Sequence, residues 1–233
     1  MSDEMASETE IIALMVGKAS PFGPPGRRSA IAKAPVDGPL EVGPEGFLID
    51  EQADRKNHGG PEKAVHHYPL DHHAAWRAEL GTEAPHLGRP GAFGENIATL
   101  GLTEADVCIG DVFRAGSALL QVAQGRQPCW KLNHRFAVPD MARRVQTSGR
   151  TGWYYRVLEP GRIAPGDRLA LTARPHPDWT LARILHVLYH DTMNRTALAE
   201  MAGLPALAEG WRSLARRRLE RGAVEDWSAR LGG

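Results

Sequence analysis

This chain of 233 residues has little cysteine, with two, and few aromatic residues, at 6%. Two cysteines cannot build a disulfide framework, so an apolar core must hold the fold. No apolar run approaches the roughly 20 residues that a membrane-spanning helix needs. No excess of either charge exists: basic and acidic side chains number 28 each, and the pI is about 7.2. A broad electrostatic footprint for nucleic acid or an anionic membrane is therefore not expected. The first residues, Met1-Ser-Asp-Glu-Met-Ala-Ser-Glu8, are acidic and lack a secretory pattern, so a cytoplasmic, reducing location with free thiols is expected. Hydrophobic residues at 42% and charged residues at 24% are those of an ordinary globular protein, long enough for one large domain and an appendage.

Glycine (25) and proline (17) are plentiful. Between Ile11 and Thr172 they break the chain into short extended segments, which predicts a mainly β body with some helix. The expected strands are Ile11–Val16, Ser29–Lys33, Phe47–Asp50, Val112–Arg114, Ala118–Ala123, Trp153–Val157 and Arg168–Leu171. Two of them follow a Gly-Asp turn, Gly110-Asp111 and Gly166-Asp167. Helical spacing marks Leu70–Leu80 and Val138–Thr147. A proline-rich joint, Arg174-Pro-His-Pro-Asp178, separates residues 11–174 from three expected helices within 175–233, whose apolar stripes include Leu181, Ile184 and Leu188, then Leu198 and Met201, then Trp211 and Leu214. Residues 1–10 are expected to be flexible. Arg216-Arg-Arg218 suits a solvated helix face better than a phosphate site. Thr196–Leu219 has the outline of a helix-turn-helix but lacks a clear recognition helix.

The chemistry concentrates at Gln124-Gly-Arg-Gln-Pro-Cys-Trp-Lys-Leu132. Pro128 precedes a predicted helix through Trp130, Leu132 and Phe136, which would bring its N-terminal N–H groups near the sulfur of Cys129. Arg126 and Lys131 add positive charge. Such surroundings favour a thiolate, the form that attacks electrophiles or ligates a soft metal. A buried structural cysteine fits this segment equally well.

Three other segments bear on it. Strand alternation would put Lys33 on the face of Ile31, and an inward ammonium needs an anionic partner, although at a strand end it also reaches solvent. In Asn57-His-Gly-Gly-Pro-Glu-Lys-Ala-Val-His66, Gly59 and Gly60 let backbone N–H groups approach an anion closely, or simply form a turn. The histidines His58, His66, His67, His72 and His73 raise zinc, but without an established ligand spacing. Asn96, at the end of Pro90-Gly-Ala-Phe-Gly-Glu-Asn96, is suited to donate to an oxyanion or to serve as a turn residue.

Taken in order, Ser29-Ala-Ile-Ala-Lys33, His58-Gly-Gly-Pro61, Phe93-Gly-Glu-Asn96, Gly101-Leu-Thr-Glu104, Ile109-Gly-Asp111, Pro128-Cys-Trp-Lys-Leu132 and Gly152-Trp-Tyr-Tyr155 resemble the MOSC-domain family, in its bacterial YiiM branch, from about Ile11 to the C-terminus. The resemblance implies a closed MOSC β-barrel followed by a small three-helix domain, and a molybdenum cofactor (molybdopterin) with Cys129 as metal ligand. It further implies reduction of N-hydroxylated compounds such as hydroxylamino-purine base analogues, with electrons from a separate flavoprotein. Lys33 and Asn96 are placed beside the thiol. His58, Gly59, Gly60, Lys63, His66, Arg126, Gln127 and Lys131 are the expected cofactor contacts, and Lys33 or His66 the expected proton donor. Cys108, in an apolar run, is expected to pack in the core. One alternative uses the same residues, a metal-free thiol hydrolase with nucleophile Cys129, activating Lys33 and oxyanion donor Asn96; another is a noncatalytic cofactor carrier or sensor with the C-terminal helices as its partner surface.

Overall fold

The computed structural model of the chain describes residues 8–54, 58–81 and 85–232. Of the expected flexible N-terminus, residues 1–7 lie outside these, as does Asn57. Residues 8–10 are instead strand β1 (Glu8–Glu10), which pairs with β14 (Arg168–Ala173).

The principal sheet has nine strands. Its ladder begins β1, β14, β10 (Val112–Ala115), β11 (Ala118–Gly125) and β12 (Trp153–Glu159), and continues through β8 (Val65–Pro69), β9 (Ile97–Thr99), β2 (Ala13–Val16) and β5 (Ala34–Val36). Every pair is antiparallel except β8 with β9. Irregularities in register along β11 and between β10 and β14 bend the sheet. It curls far enough that one segment serves both sides: the Ile11 N–H donates to the Asp167 carbonyl and the Ile12 N–H to that of Ala98, each at 2.9 Å. The expected closed barrel is nevertheless corrected to an open, half-barrel sheet, because the ladder ends at β1 and β5, which do not pair. Both ends are poor templates for closure. Pro35 at the centre of β5 has no N–H to give, and β1 carries Glu8 and Glu10.

Smaller pieces flank this sheet: a hairpin of β3 (Ser20–Pro21) with β4 (Arg28–Ser29), and a three-stranded sheet of β6 (Leu40–Gly43), β7 (Gly46–Phe47) and β13 (Gly161–Ile163). Here two predicted strands shorten. The Ser29 hydroxyl accepts the Ile31 N–H at 3.2 Å and turns the chain out of the ladder, so Ala30–Lys33 is irregular. After Phe47 the Asp50 N–H bonds back to the Phe47 carbonyl, making a turn of the rest of Phe47–Asp50. The Gly-Asp turns do enter strands β10 and β14. Asp111 accepts the N–H of Cys108 and Asp167 that of Ala164, each at 2.8 Å, so both carboxylates close the same three-residue turn.

Helix α1 (His72–Leu80) follows β8, and α2 (Lys131–Phe136) and α3 (Met141–Ser148) follow β11. The C-terminal region holds α4 (Leu181–Tyr189), α5 (Arg195–Gly203), α6 (Glu209–Arg221) and a fourth, short helix, α7 (Ser228–Gly232). Thr180 caps α4 by accepting the Arg183 N–H, and Asn194 caps α5 by accepting that of Ala197.

The helices do not stand apart from the sheet. Phe113, Leu120, Val122 and Tyr155 of the sheet lie in one buried cluster with Leu181, Ile184, Leu188, Leu198, Met201 and Trp211. The proline joint is stitched down as well. Arg174 forks onto the buried Asp111 carboxylate at 3.0 and 2.7 Å, and the Ile109 N–H reaches the Trp179 carbonyl. Cys108 is buried here, its thiol donating to the Pro177 carbonyl at 3.3 Å. Of the basic run, Arg218 is buried on Glu225 and the Leu188 carbonyl, and Arg216 meets Glu209, so these arginines serve the fold.

Candidate functional site

Cys129 sits in the link between β11 and α2, at 7% exposure, over a second apolar cluster that includes Tyr68, Phe93, Leu132, Met141 and Leu231. The flanking residues are gripped from the far end of the chain. The Arg230 side chain donates to the Pro128 carbonyl at 2.5 Å and to Gln146 Oε1 at 2.6 Å, while its backbone carbonyl accepts the Trp130 N–H at 2.8 Å. Asn133 Nδ2 donates to the Leu231 carbonyl at 2.7 Å. This anchorage corrects one expectation: the Trp130 N–H is spent on Arg230 and the Leu132 N–H on the Cys129 carbonyl, so neither points unpaired at the sulfur.

The thiol lines a cleft of about 560 Å³ together with Lys33, His58, Lys63, His66, Asn96, Arg126 and Lys131. Seven residues singled out from sequence therefore converge with Cys129. Gly59, Gly60 and Gln127 do not line this cleft. Gly60 has φ +89°, which explains the glycine, and its missing Cβ would meet only open space. Gln127 faces a neighbouring basin with Trp211 and Arg230. The other histidines diverge. His67 is held between the Tyr155 hydroxyl and Thr99 Oγ1, at 3.0 and 2.8 Å, His72 pairs with Glu104 at 2.6 Å, and His73 meets the Leu87 carbonyl. Among the described residues no three His, Cys, Asp or Glu side chains are grouped as a metal site would need.

The polar wiring of the cleft separates two sets of residues. Lys33 is ion-paired with Asp50, both side chains more than nine-tenths buried. Asp50 also accepts from the Gly17 N–H at 2.7 Å and from Asn96 Nδ2 at 2.9 Å. Asn96 Nδ2 donates its other hydrogen to the Met15 carbonyl, and its Oδ1 accepts the His66 N–H at 3.1 Å. Both amide hydrogens of Asn96 are thus committed, and its part is to hold Asp50 rather than donate to an oxyanion. Burial pulls the Lys33 ammonium below its ordinary pKa, against the opposing pull of Asp50. Neighbouring Glu95 is fully buried, accepts the Gly91 and Phe93 N–H groups and is raised in pKa by that burial.

The second set lacks counter-charges. Arg126 is 6% exposed and Lys131 8%, and neither has a carboxylate partner among the described residues. Arg126 Nη1 and His66 Nε2 are buried without any hydrogen-bond partner there. His66 stacks on Tyr154, ring centroids 4.9 Å apart, and burial reinforced by Arg126 keeps its imidazole neutral. His58 Nε2 lies 3.5 Å from Cys129 Sγ, while His58 Nδ1 lies 3.5 Å from both Lys131 Nζ and Asp54 Oδ2. Burial first, then Lys131, lowers the His58 pKa to about 4. Its neutral ring at pH 7 is therefore a poor acceptor for a thiol proton.

Buried groups of this kind normally find partners, so unpaired cations and an orphaned imidazole nitrogen beside a soft sulfur fit an anionic, multiply hydrogen-bonding ligand. A phosphorylated pterin with a thiol-ligated metal is a ligand of that chemical kind. Sequence reasoning missed Asp50, which carries no local signal, and Arg230, which is 101 positions from Cys129 by subtraction of their residue numbers.

A model of the MOSC domain matches residues 54–170, and a model of the YiiM-like 3-alpha helix domain matches residues 179–222. Protein YiiM of Escherichia coli is 41% identical over 223 residues, covering 95% of this chain and 98% of that protein. A protein of Gibberella moniliformis named reductase is 41% identical over 192 residues, 82% of this chain but 34% of that larger protein. The crystal structure of YiiM from Geobacillus stearothermophilus superposes with a TM-score of 0.77 at 38% identity, covering 91% of this chain and 99% of that one. With an open, curled sheet, a C-terminal helical domain and a buried thiol amid unpaired cations, the chain belongs to the MOSC-domain family, in its YiiM-like branch.

Proposed function

We propose that this protein is a molybdenum-cofactor-dependent reductase of N-hydroxylated compounds. The observation that carries this reading is the cleft around Cys129, where Arg126 Nη1 and His66 Nε2 are buried without hydrogen-bond partners and Lys131 without a carboxylate among the described residues. Family membership and the reductase name of the fungal relative support it.

Cys129 would hold the metal, and Arg126, Lys131, His58, Lys63 and His66 would hold the pterin and its phosphate. When bound, the cofactor supplies two-electron redox chemistry, with electrons drawn from a separate flavoprotein. The overall change takes an N–OH group, two electrons and two protons to N–H and water. Lys33 is the proton donor we favour, because burial makes its ammonium a stronger acid than a solvated lysine. Asp50 fixes the ammonium and Asn96 fixes Asp50. His66 is neutral and its Nε2 is orphaned, which suits it to hydrogen bonding rather than to delivering a proton as imidazolium.

A thiol hydrolase is the second reading, favoured by the line from Cys129 through His58 to Asp54. It replaces Lys33 by His58 as the activating base, and it lacks the oxyanion donor once assigned to Asn96. The weak basicity of His58 counts against it. Protein purified from a host that makes the cofactor, and from one that cannot, separates the two readings. The reductase reading expects near-stoichiometric molybdenum and pterin from the first host only, with reduction of a hydroxylamino-purine. Metal-free protein from both, with Cys129-dependent ester hydrolysis, would replace it.

A further inference from the structure

Cys129 borders a second cavity. A basin of about 1690 Å³ adjoins the cleft and shares Cys129, His58, Lys63, Lys131 and Tyr154 with it. On a chain whose net charge is zero, the described wall of this basin carries Arg27, Arg28, Lys63, Lys131 and Arg230 against the single carboxylate of Asp54. Such an excess is costly to assemble unless an anion offsets it.

These cations are not equally committed. Arg230 is spent on Pro128 and Gln146, and Arg28 donates to the Ala19 carbonyl and acts on Glu51. Arg27, beside the hairpin strand β4, has no side-chain partner among the described residues, and Lys131 meets only the neutral ring of His58. Lys131 is counted with the cofactor in the deeper cleft, so Arg27 is the cation left facing the basin with charge to spend. Around them stand aromatic side chains, Trp130, Tyr154 and Trp211, and the amides of Gln124 and Gln127. Aromatic walls suit a planar heterocycle, amides suit its polar edge, and guanidinium and ammonium suit a phosphate.

Resting on the reductase reading above, we propose that this basin takes the N-hydroxylated compound as a phosphorylated, nucleotide-type species rather than as a free base. The ring lies against the aromatic residues with its N–OH toward Cys129, and Arg27 holds the phosphate. Phosphate has a second possible source in the cofactor, whose own phosphate belongs with Arg126 in the deeper cleft.

The test compares 6-hydroxylaminopurine with its ribonucleoside 5′-monophosphate as substrates of the molybdenum-loaded protein. The wild type should prefer the monophosphate by at least about tenfold in kcat/KM, through a lower KM, and raised salt should erase the preference. Arg27→Met, at an exposed position, should lower kcat/KM for the monophosphate about tenfold while leaving the base kinetics and molybdenum content unchanged. Equal kcat/KM for base and monophosphate would overturn the proposal, and so would loss of molybdenum from Arg27→Met, which would assign that cation to the cofactor. Should neither compound be reduced by loaded protein, the reductase reading itself fails. The basin is then judged by calorimetry with adenosine 5′-monophosphate: binding weakened about tenfold by Arg27→Met supports the anionic site, and absence of binding overturns it.

Discussion

Replacing Asp50 by asparagine isolates the least replaceable part of the cleft. Asp50 accepts from Gly17, Asn96 and Lys33, and both members of the ion pair are nearly sealed from water. In Asp50→Asn one oxygen still serves Gly17, but an amide nitrogen now confronts two donors, the Lys33 ammonium and Asn96 Nδ2. Removing one partner of a buried pair costs about 3–5 kcal/mol, because the other charge stays desolvated. At about 2–4 °C per kcal/mol for a chain of this size, the melting temperature should fall by roughly 6–20 °C. The pH dependence carries the signature. Burial already lowers the folded pKa of Lys33 below its usual 10.5, and losing Asp50 lowers it further. The unfolded chain then holds a proton that the folded chain refuses, so the penalty is full at low pH and fades as pH rises toward 10.5. Urea unfolding of wild type and Asp50→Asn should show a wider gap at pH 7 than at pH 10, and adding Lys33→Met should recover part of the loss. A gap that does not change with pH, together with additive losses in the double variant, would refute the buried-pair reasoning.

Three further outcomes follow from the contacts. Arg230→Met removes two charge-assisted hydrogen bonds, each worth about 1.5–3 kcal/mol, so iodoacetamide should alkylate Cys129 several-fold faster than in wild type, with Arg230→Lys intermediate; an unchanged rate would mean the C-terminal segment does not position the thiol loop. Truncation after Thr172 strips Leu181, Ile184, Leu188 and Trp211 from the cluster they share with the sheet, so circular dichroism and gel filtration should find an unfolded or aggregated product; a folded monomeric sheet domain would contradict that shared packing. Burial holds His58 at about 4 and His67 at about 3, below the 6.5 of the unfolded chain, so stability should fall as pH drops from 6.5 toward 3. His58→Gln should flatten the part of that slope between pH 6.5 and 4, and an identical slope would place the titration elsewhere.

Much of the site was legible because it is local. The run from Arg126 to Lys131 puts two cations and a thiol within six residues, and no long-range pairing is needed to see it. The glycine turns and helix stripes were equally readable. Strand alternation leaves Lys33 open between the inner face and solvent; the chain there is turned by the Ser29 hydroxyl, and Asp50 is what draws the ammonium in. Asn96 was given a chemical role from its residue type, whereas its use is decided by which carbonyls and carboxylate surround it. The division of the chain at Arg174–Asp178 is read from composition at the joint. Composition says nothing of Arg174 clasping Asp111, or of Arg230 returning to bracket Cys129, because both depend on register between distant segments. Ring closure also lay beyond reach, since it turns on which edge strands find a partner.

Cys129→Ser, with molybdenum and pterin measured per protein chain after purification from a cofactor-making host, tests the central claim most directly. A hydroxyl keeps almost the same volume in this buried position, so the fold should survive, but it is a harder and far less acidic ligand than a thiol. Wild type and Cys108→Ser should carry about one molybdenum per chain, and Cys129→Ser almost none, with no reduction of hydroxylamino-purine. A Cys129→Ser protein that keeps its molybdenum and its reductase activity would contradict that claim.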